Sequence, residues 1–310
     1  MRSGGNPVLG IVGQFQRGKS TLVNCLLDDC YAPTGKGMAT TKALTSFRFG
    51  EAEEVLVRQQ APPGDEVYLD RREDILDAAV MGRFKMTERD RIEVRAWKPL
   101  LECLDLLDTP GFNADERDDR VALAGIDQSD MLIVLLADND INESESRLID
   151  AVVERNKPFV VLVNCREMVD SKADPRSEQV EEICGNISGQ ICARGWTPVP
   201  VNNRAVWPCN LLWAWHAQGH LRREADATDV ERSKAARQKL EKIRRHFELN
   251  HGRPVPNPRD LMARSCFLPI REMLRAYCRN KLPEKQYGDM LNGLGEKWQR
   301  ALRRALESAL

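Results

Sequence analysis

Apolar residues in this chain come in two kinds of run. Short unbroken runs such as Met131-Leu132-Ile133-Val134-Leu135-Leu136 and Phe159-Val160-Val161-Leu162-Val163 suit strands buried on both faces of a parallel sheet. Shorter segments with polar interruptions fill out a strand series: Leu9–Val12, Thr45–Phe49, Glu54–Gln59, Ile92–Trp97, Glu102–Leu107, Met131–Leu136, Phe159–Asn164 and Pro198–Val201. Helical segments alternate with them. Thr21–Leu27 is one. Another is introduced by Asn142 as N-cap with Glu145 three residues on, and is stopped by Lys157-Pro158. Residues 177–193 form a further helix. A charged helix near Arg71–Met81 follows the loop Ala61-Pro62-Pro63-Gly64-Asp65 and interrupts the strands. Strand and helix alternating over about 210 residues predict an α/β fold.

After Trp207 the pattern becomes helical: 211–220, 229–249 and 259–281, the last two separated by Gly252-Arg253-Pro254-Val255-Pro256-Asn257-Pro258. A last stretch, Glu296–Leu310, aligns Trp298, Leu302, Ala305, Leu306 and Leu310 on one stripe, with Lys297, Arg300, Arg303 and Arg304 elsewhere. No internal repeat is visible.

Composition fits this picture. The chain has 310 residues, 42% hydrophobic and 30% charged, as a globular protein with a sizeable core does. No apolar run is long enough to span a membrane, and Met1–Pro7 does not read as a signal peptide. The nine cysteines are scattered without C-x-x-C spacing, which fits a reducing cytosol. His216 and His220 lack further nearby ligands and read as structural rather than zinc-binding. The net charge of −1 is uneven: residues 221–310 hold 21 Lys+Arg against 12 Asp+Glu, a net +9, leaving −10 for the rest. The default for such a section is solvated basic helix faces.

The candidate chemistry begins at the end of the first strand. Gly13-Gln14-Phe15-Gln16-Arg17-Gly18-Lys19-Ser20 is G-x-x-x-x-G-K-S, the phosphate-binding P-loop. Gly13 and Gly18 let the backbone amides turn towards a phosphate, Lys19 reaches the outer phosphates, and the Ser20 hydroxyl ligates Mg²⁺. The helix from Thr21 points its positive end at the same anion. Downstream, an apolar segment ends in Asp108-Thr109-Pro110-Gly111. Asp108 there holds Mg²⁺ through water, and the Gly111 amide senses the γ-phosphate. Between the two lies Pro33–Thr41, where a GTPase needs a threonine that binds Mg²⁺ only when the γ-phosphate is present; Thr40 is favoured, with Thr41 next to it.

These motifs carry a resemblance. G-Q-F-Q-R-G-K-S-T-L-V-N-C-L-L, then Ala32-Pro33-Thr34-Gly35, then Ala39-Thr40-Thr41, then Asp108-Thr109-Pro110-Gly111 resembles the GTPase domain of dynamin-like proteins, the bacterial ones above all, over residues 7–206. The resemblance implies a P-loop NTPase three-layer α/β fold with a mostly parallel central sheet followed by C-terminal helices. It implies GTP and GDP as ligands and Mg²⁺ as cofactor. It also implies a homodimer across the nucleotide face and hydrolysis coupled to membrane remodelling through a helical stalk. The expected organisation is a GTPase domain over 1–282, with its core at 7–206 and a helical section at 211–282, then an amphipathic helix over 283–310 that begins a stalk or contacts a membrane surface or a stalk-bearing partner. The expected location is cytoplasmic, peripheral at a membrane. No nucleic-acid partner is expected, for the basic section has no RNA-binding signature.

The same resemblance distributes the remaining roles. Gln16 aligns with a polar catalytic position, and Arg17 is a candidate for stabilising transition-state charge in cis. The base motif is altered to Asn164-Cys165-Arg166-Glu167. Asn164 and Glu167 retain bonding groups for a guanine, while Cys165 cannot replace the lysine stem that packs over the ring. Asn202 and Arg204 occupy the expected last base loop, with Arg204 stacking on the base. Phe112 stands where small GTPases keep a water-orienting glutamine. The nucleotide set is therefore Gly13, Gln16, Arg17, Gly18, Lys19, Ser20, Thr21, Asp108, Gly111, Asn164, Glu167, Asn202 and Arg204. The catalytic set is Lys19, Gln16, Arg17 and Thr40, and the metal set Ser20, Thr40 and Asp108. A second reading is a nucleotide-dependent switch or adaptor with little hydrolysis, motivated by Phe112 and the altered base motif. A third is a GTPase of the ribosome-assembly kind using its basic section on RNA.

Overall fold

The computed structural model describes residues 6–32, 43–58, 66–69, 90–113, 116–165, 174–226, 230–252 and 254–280. The expected helix at Arg71–Met81, the Thr40–Thr41 segment, Glu167 and the terminal helix over 283–310 lie outside them.

Among the described residues nine strands form one sheet: β1 Val8–Gly13, β2 Leu44–Phe49, β3 Glu54–Arg58, β4 Glu66–Leu69, β5 Arg91–Ala96, β6 Asp105–Asp108, β7 Met131–Ala137, β8 Phe159–Asn164 and β9 Val206–Cys209. Their order is β4-β3-β5-β2-β6-β1-β7-β8-β9. The block β6-β1-β7-β8-β9 is parallel throughout. On the other side β2 runs antiparallel to β6 and parallel to β5, and β3 and β4 add antiparallel pairs.

The helices are α1 Lys19–Leu27, α2 Glu116–Gln128, α3 Glu143–Glu154, α4 Glu178–Ala193, α5 Leu211–Ala217, α6 His220–Ala225, α7 Val230–His251, α8 Pro258–Arg264 and α9 Leu268–Asn280. The strand period of two sorts the core into layers. Ile133 and Leu135 of β7 and Val160 and Leu162 of β8 face one cluster with α1, α5, α7, α8 and α9. Leu132, Val134 and Leu136, with Val161 and Val163, face a second cluster with α2, α3 and α4. This is the expected three-layer, mostly parallel α/β sheet with helices following it.

Beyond β6 the two faces of the sheet differ, although Leu44 on the second face still packs with Val8, Leu107 and Val121. Phe47, Val55 and Val94 join the first cluster. The opposite face is a charge ladder: the Glu93 carboxylate meets Arg48, Arg58 and Arg95, and Arg48 also reaches Asp105.

Three local expectations are corrected. The last strand is Val206–Cys209 and not Pro198–Val201. A strand containing Pro208 is tolerated because β9 lies at the sheet edge, where a missing amide breaks no ladder on the outer side. The expected helix 211–220 is two helices, α5 and α6, broken at Gly219 with φ 79°, and the expected helix 259–281 is likewise two, α8 and α9, broken at Cys266 with φ 54°. Strand β4 and helix α2 were not anticipated. The α2 buried stripe is only Val121, Ala122, Gly125 and Ile126, too small in volume to stand out as periodicity. By contrast, the Asn142–Glu145 capping box is fully formed.

Candidate phosphate and nucleotide site

Strand β1 carries its chain to the carboxyl edge of the parallel block, where the loop Gln14–Gly18 turns into α1. Gly18 takes φ +100°, and a Cβ there would lie 2.6 Å from the Asn164 side-chain nitrogen. Gln16 also takes a left-handed conformation, φ 61°, which a non-glycine residue adopts at a cost. The first turn of α1 directs the amides of Lys19, Ser20 and Thr21 at the space above the loop, with no preceding turn to satisfy them.

Lys19 is buried, 7% exposed. Its ammonium donates to the carbonyls of Gly13 at 3.1 Å and Gln14 at 2.9 Å. Burial pulls its pKa down to about 8, partly opposed by Asp108. The Ser20 hydroxyl donates to the Asp108 carboxylate at 3.0 Å, and Asp108 is 1% exposed. Two hard oxygens, one anionic, so placed fit a hard divalent cation such as Mg²⁺.

The segment after β6 is laced to the loop. Phe112 donates its amide to Gly13 and accepts from the Phe15 amide. Gly111 packs so closely that a Cβ would come within 2.6 Å of the Phe15 Cα. The Phe112 ring is 6% exposed and belongs to the second core cluster, so it points away from the cleft. Thr109 bonds the Ile11 carbonyl, holding β6 against β1.

Asn164, at the end of β8, joins three segments. Its side-chain nitrogen donates to the Arg17 carbonyl at 2.9 Å, and its oxygen accepts the Leu211 amide at 3.2 Å. One hydrogen of the NH₂ remains for a ring acceptor of a base. Cys165 is buried and its thiol pKa is raised well above normal by burial, so it is an inert packing residue.

Asn202 and Arg204 stand before the last strand rather than after it. The chain that leaves β9 towards Asn164 and Gly18 is Cys209-Asn210-Leu211. The reason is the shifted last strand. Arg204 Nη1 donates to both Glu181 carboxylate oxygens, at 2.7 and 2.9 Å, and its guanidinium sits 5.7 Å over the Trp207 ring. Asn210 instead caps α5 through the Trp213 amide and is itself tied to the Ser265 carbonyl.

Arg17 turns towards α3. Its Nε donates to Glu145 at 3.2 Å and its Nη2 to the Gln14 side chain at 2.6 Å. Gln14 donates in turn to Asn142 at 2.7 Å. Asn142 and Glu145 were legible as a helix cap, but nothing in their spacing says that this cap faces the P-loop. His220 bonds Asp28 and stacks on Trp215. No metal-binding cluster of His, Cys, Asp and Glu occurs among the described residues.

Residues 9–166 match the sequence model of the dynamin family. Dynamin-like protein 2 of Campylobacter jejuni is 33% identical over 159 residues, 48% of this chain and 24% of that protein. The probable transmembrane GTPase FZO-like, chloroplastic, of Arabidopsis thaliana is 30% identical over 159 residues, 50% of this chain and 14% of that protein. The chain thus covers about a quarter or less of the length of these relatives. A solved structure of an oligomerised bacterial dynamin pair superposes with a TM-score of 0.48 at 16% identity, covering 87% of this chain and 36% of that one.

Proposed function

This chain belongs to the dynamin family, and on that premise we propose that it binds GTP with Mg²⁺ and hydrolyses it to GDP and phosphate. The observation that carries the reading is the phosphate end of the cleft. A buried lysine, a helix start and an Asp108–Ser20 oxygen pair converge within one loop's width. Lys19 exchanges its two carbonyl partners for phosphate oxygens, which restores its full charge. The amides of Gly18 to Thr21 cradle the inner phosphates, and the Gly111 amide meets the γ-phosphate. Ser20, Thr40 and, through water, Asp108 would hold Mg²⁺, which would supply neutralisation of the charge that develops on the transferred group. Gln16 takes the polar role beside the attacking water, since the Phe112 ring is turned into the core. Asn164 holds the base, together with Glu167.

Self-association across the nucleotide face belongs to the same proposal. Phe15 is 42% exposed at the lip of the cleft beside the exposed Gln16, an apolar side chain that a second copy would cover. So does a peripheral membrane or assembly role. No helix among the described residues is long and apolar enough to cross a membrane.

The buried Phe112 ring favours one alternative, a nucleotide switch that hydrolyses little. Phosphate release from GTP and from ATP, measured with Mg²⁺ over a wide range of protein concentration, separates the readings. GTP turnover that rises per molecule with concentration supports the self-associating GTPase. Micromolar binding without single-turnover hydrolysis supports the switch, and equal turnover of ATP removes the guanine preference.

A further inference from the structure

We infer that Glu145 is a positioning residue for the phosphate loop: through Arg17 it holds the upstream arm of the loop, Gln14 to Arg17, in the shape that presents Gln16. The inference deepens the hydrolytic reading above and rests on it for the role of Gln16.

The Glu145 carboxylate is completely buried, with Arg17 19% exposed beside it. It also accepts from the Ala137 backbone amide at the end of β7, and its bonds to the cap and to the loop do different work. Oε2 accepts the Asn142 amide at 3.2 Å, closing the helix cap. Oε1 accepts from Arg17 Nε at 3.2 Å. A helix cap requires only the first of these bonds. The second completes a ring that leaves α3 and returns to it: Glu145 to Arg17, Arg17 to the Gln14 side chain, Gln14 to Asn142, and Asn142 to the Glu145 amide at 3.0 Å. A buried carboxylate is stabilised in its charged form by such a partner.

The ring acts on the strained part of the loop. Gln16 sits at φ 61° between two residues that are held from different sides. Phe15 is held through its amide by Phe112. Arg17 is held through its carbonyl by Asn164 and through its side chain by Glu145. These pins come from three separate elements, and they flank the one residue whose backbone would otherwise relax. The downstream half, Gly18 to Thr21 with Lys19, is formed by α1 and carries the phosphate contacts. Losing the Glu145 pin therefore disturbs the placing of Gln16 far more than phosphate affinity.

Glu145→Gln is the discriminating variant. Glutamine is nearly isosteric and is itself accepted at this cap position. With its oxygen kept on the Asn142 amide, the NH₂ that replaces Oε1 faces an arginine that can only donate. The cap survives and the pin is lost. Hydrogen exchange of the full chain without nucleotide should show the amides of Gln14 to Arg17 exchanging about tenfold faster, with those of α3 unchanged. Single-turnover GTP hydrolysis should fall about tenfold while GDP affinity stays within about threefold. In a Gln16→Ala background the same change should cost less than about twofold in rate. The double variant Arg17→Gln, Glu145→Gln, which leaves no buried lone charge, should repeat the exchange pattern. Unchanged protection of the loop overturns the inference. So does loosening of α3 together with the loop, or a loss of GDP affinity in step with the rate. If the wild-type chain binds GTP without hydrolysing it, the hydrolytic reading fails on its own, and the exchange pattern still decides whether Glu145 pins the loop.

Discussion

The two ends of the proposed nucleotide cleft are built by different means. At the phosphate end the groups come from one continuous stretch, Gly13 to Thr21, and from one segment zipped to it, Asp108 to Phe112. At the base end the groups come from far apart: Asn164 after β8, Leu211 after β9, and through Asn210 the Ser265 carbonyl beyond α8. Local backbone geometry creates the first. Only the packing of the C-terminal helices against the sheet creates the second. The phosphate end should therefore fail through chemistry, and the base end through structure.

The largest effect should come from Lys19→Ala. Removing a buried charge that meets phosphate costs about 3 kcal/mol or more, on the order of a hundredfold in affinity. Calorimetry with a GTP analogue measures it. The folded chain should lose no stability in the absence of nucleotide, because burial already disfavours this ammonium. Asn164→Ala should be next and of the opposite kind. It leaves the buried Leu211 amide and the Arg17 carbonyl without their acceptor and donor, lowering unfolding stability by about 1–3 kcal/mol. It should weaken GTP and ATP binding alike, because a ring nitrogen acceptor is common to both purines. A selective loss of GTP would show that Asn164 reads guanine itself, and the contrast between the two ends would need redrawing.

A pH titration sharpens the phosphate end further. Free Lys19 titrates near 8, down from 10.5, and a bound phosphate favours its charged form. Binding therefore takes up a proton above pH 8. Affinity should be level in this respect below that point and fall by up to about tenfold per pH unit above it. The free chain shows the reverse sign: between pH 8 and 10.5 the unfolded lysine holds more protons than the folded one, so its contribution to stability rises with pH. Affinity that stays level through pH 9 would mean that Lys19 is fully charged before phosphate arrives. The smallest effect should come from Arg204→Ala. Its pair with Glu181 is half-exposed, 46% and 47%, and such a pair is worth about 0–1 kcal/mol. GTP affinity should stay within about twofold. A tenfold loss in fluorescence titration would bring the start of β9 into the base site after all.

Much of this architecture was legible because its signals are short in range. The apolar runs of β7 and β8 announced a sheet covered on both faces. The spacing of Gly13, Gly18, Lys19 and Ser20 announced a phosphate loop, and Asn142 with Glu145 announced a helix start. The last strand was not legible. Val206-Trp207-Pro208-Cys209 contains a proline that reads as a break until its edge position is known, while Pro198–Val201 mimics a strand by composition alone. The expected base loop at Asn202 and Arg204 rests on that strand reading. The helix α2 escaped because its buried face is built from small residues.

By itself the sequence determined the identity of the elements around β1, since a glycine-permitted turn, an apolar strand and a helix start are properties of neighbouring residues. It also determined that a lysine and a serine stand together at the start of α1. Tertiary structure alone decided what those residues meet. It put the Asp108 carboxylate beside Ser20, turned the Phe112 ring into the core, drew Arg17 to a buried Glu145 and set Asn164 between the P-loop and α5. Each of these joins residues from about 88 to 147 positions apart along the chain, except the internal pairing of Asn164 with Leu211 across 47. No local preference encodes such a meeting; it follows from the order of strands in the sheet.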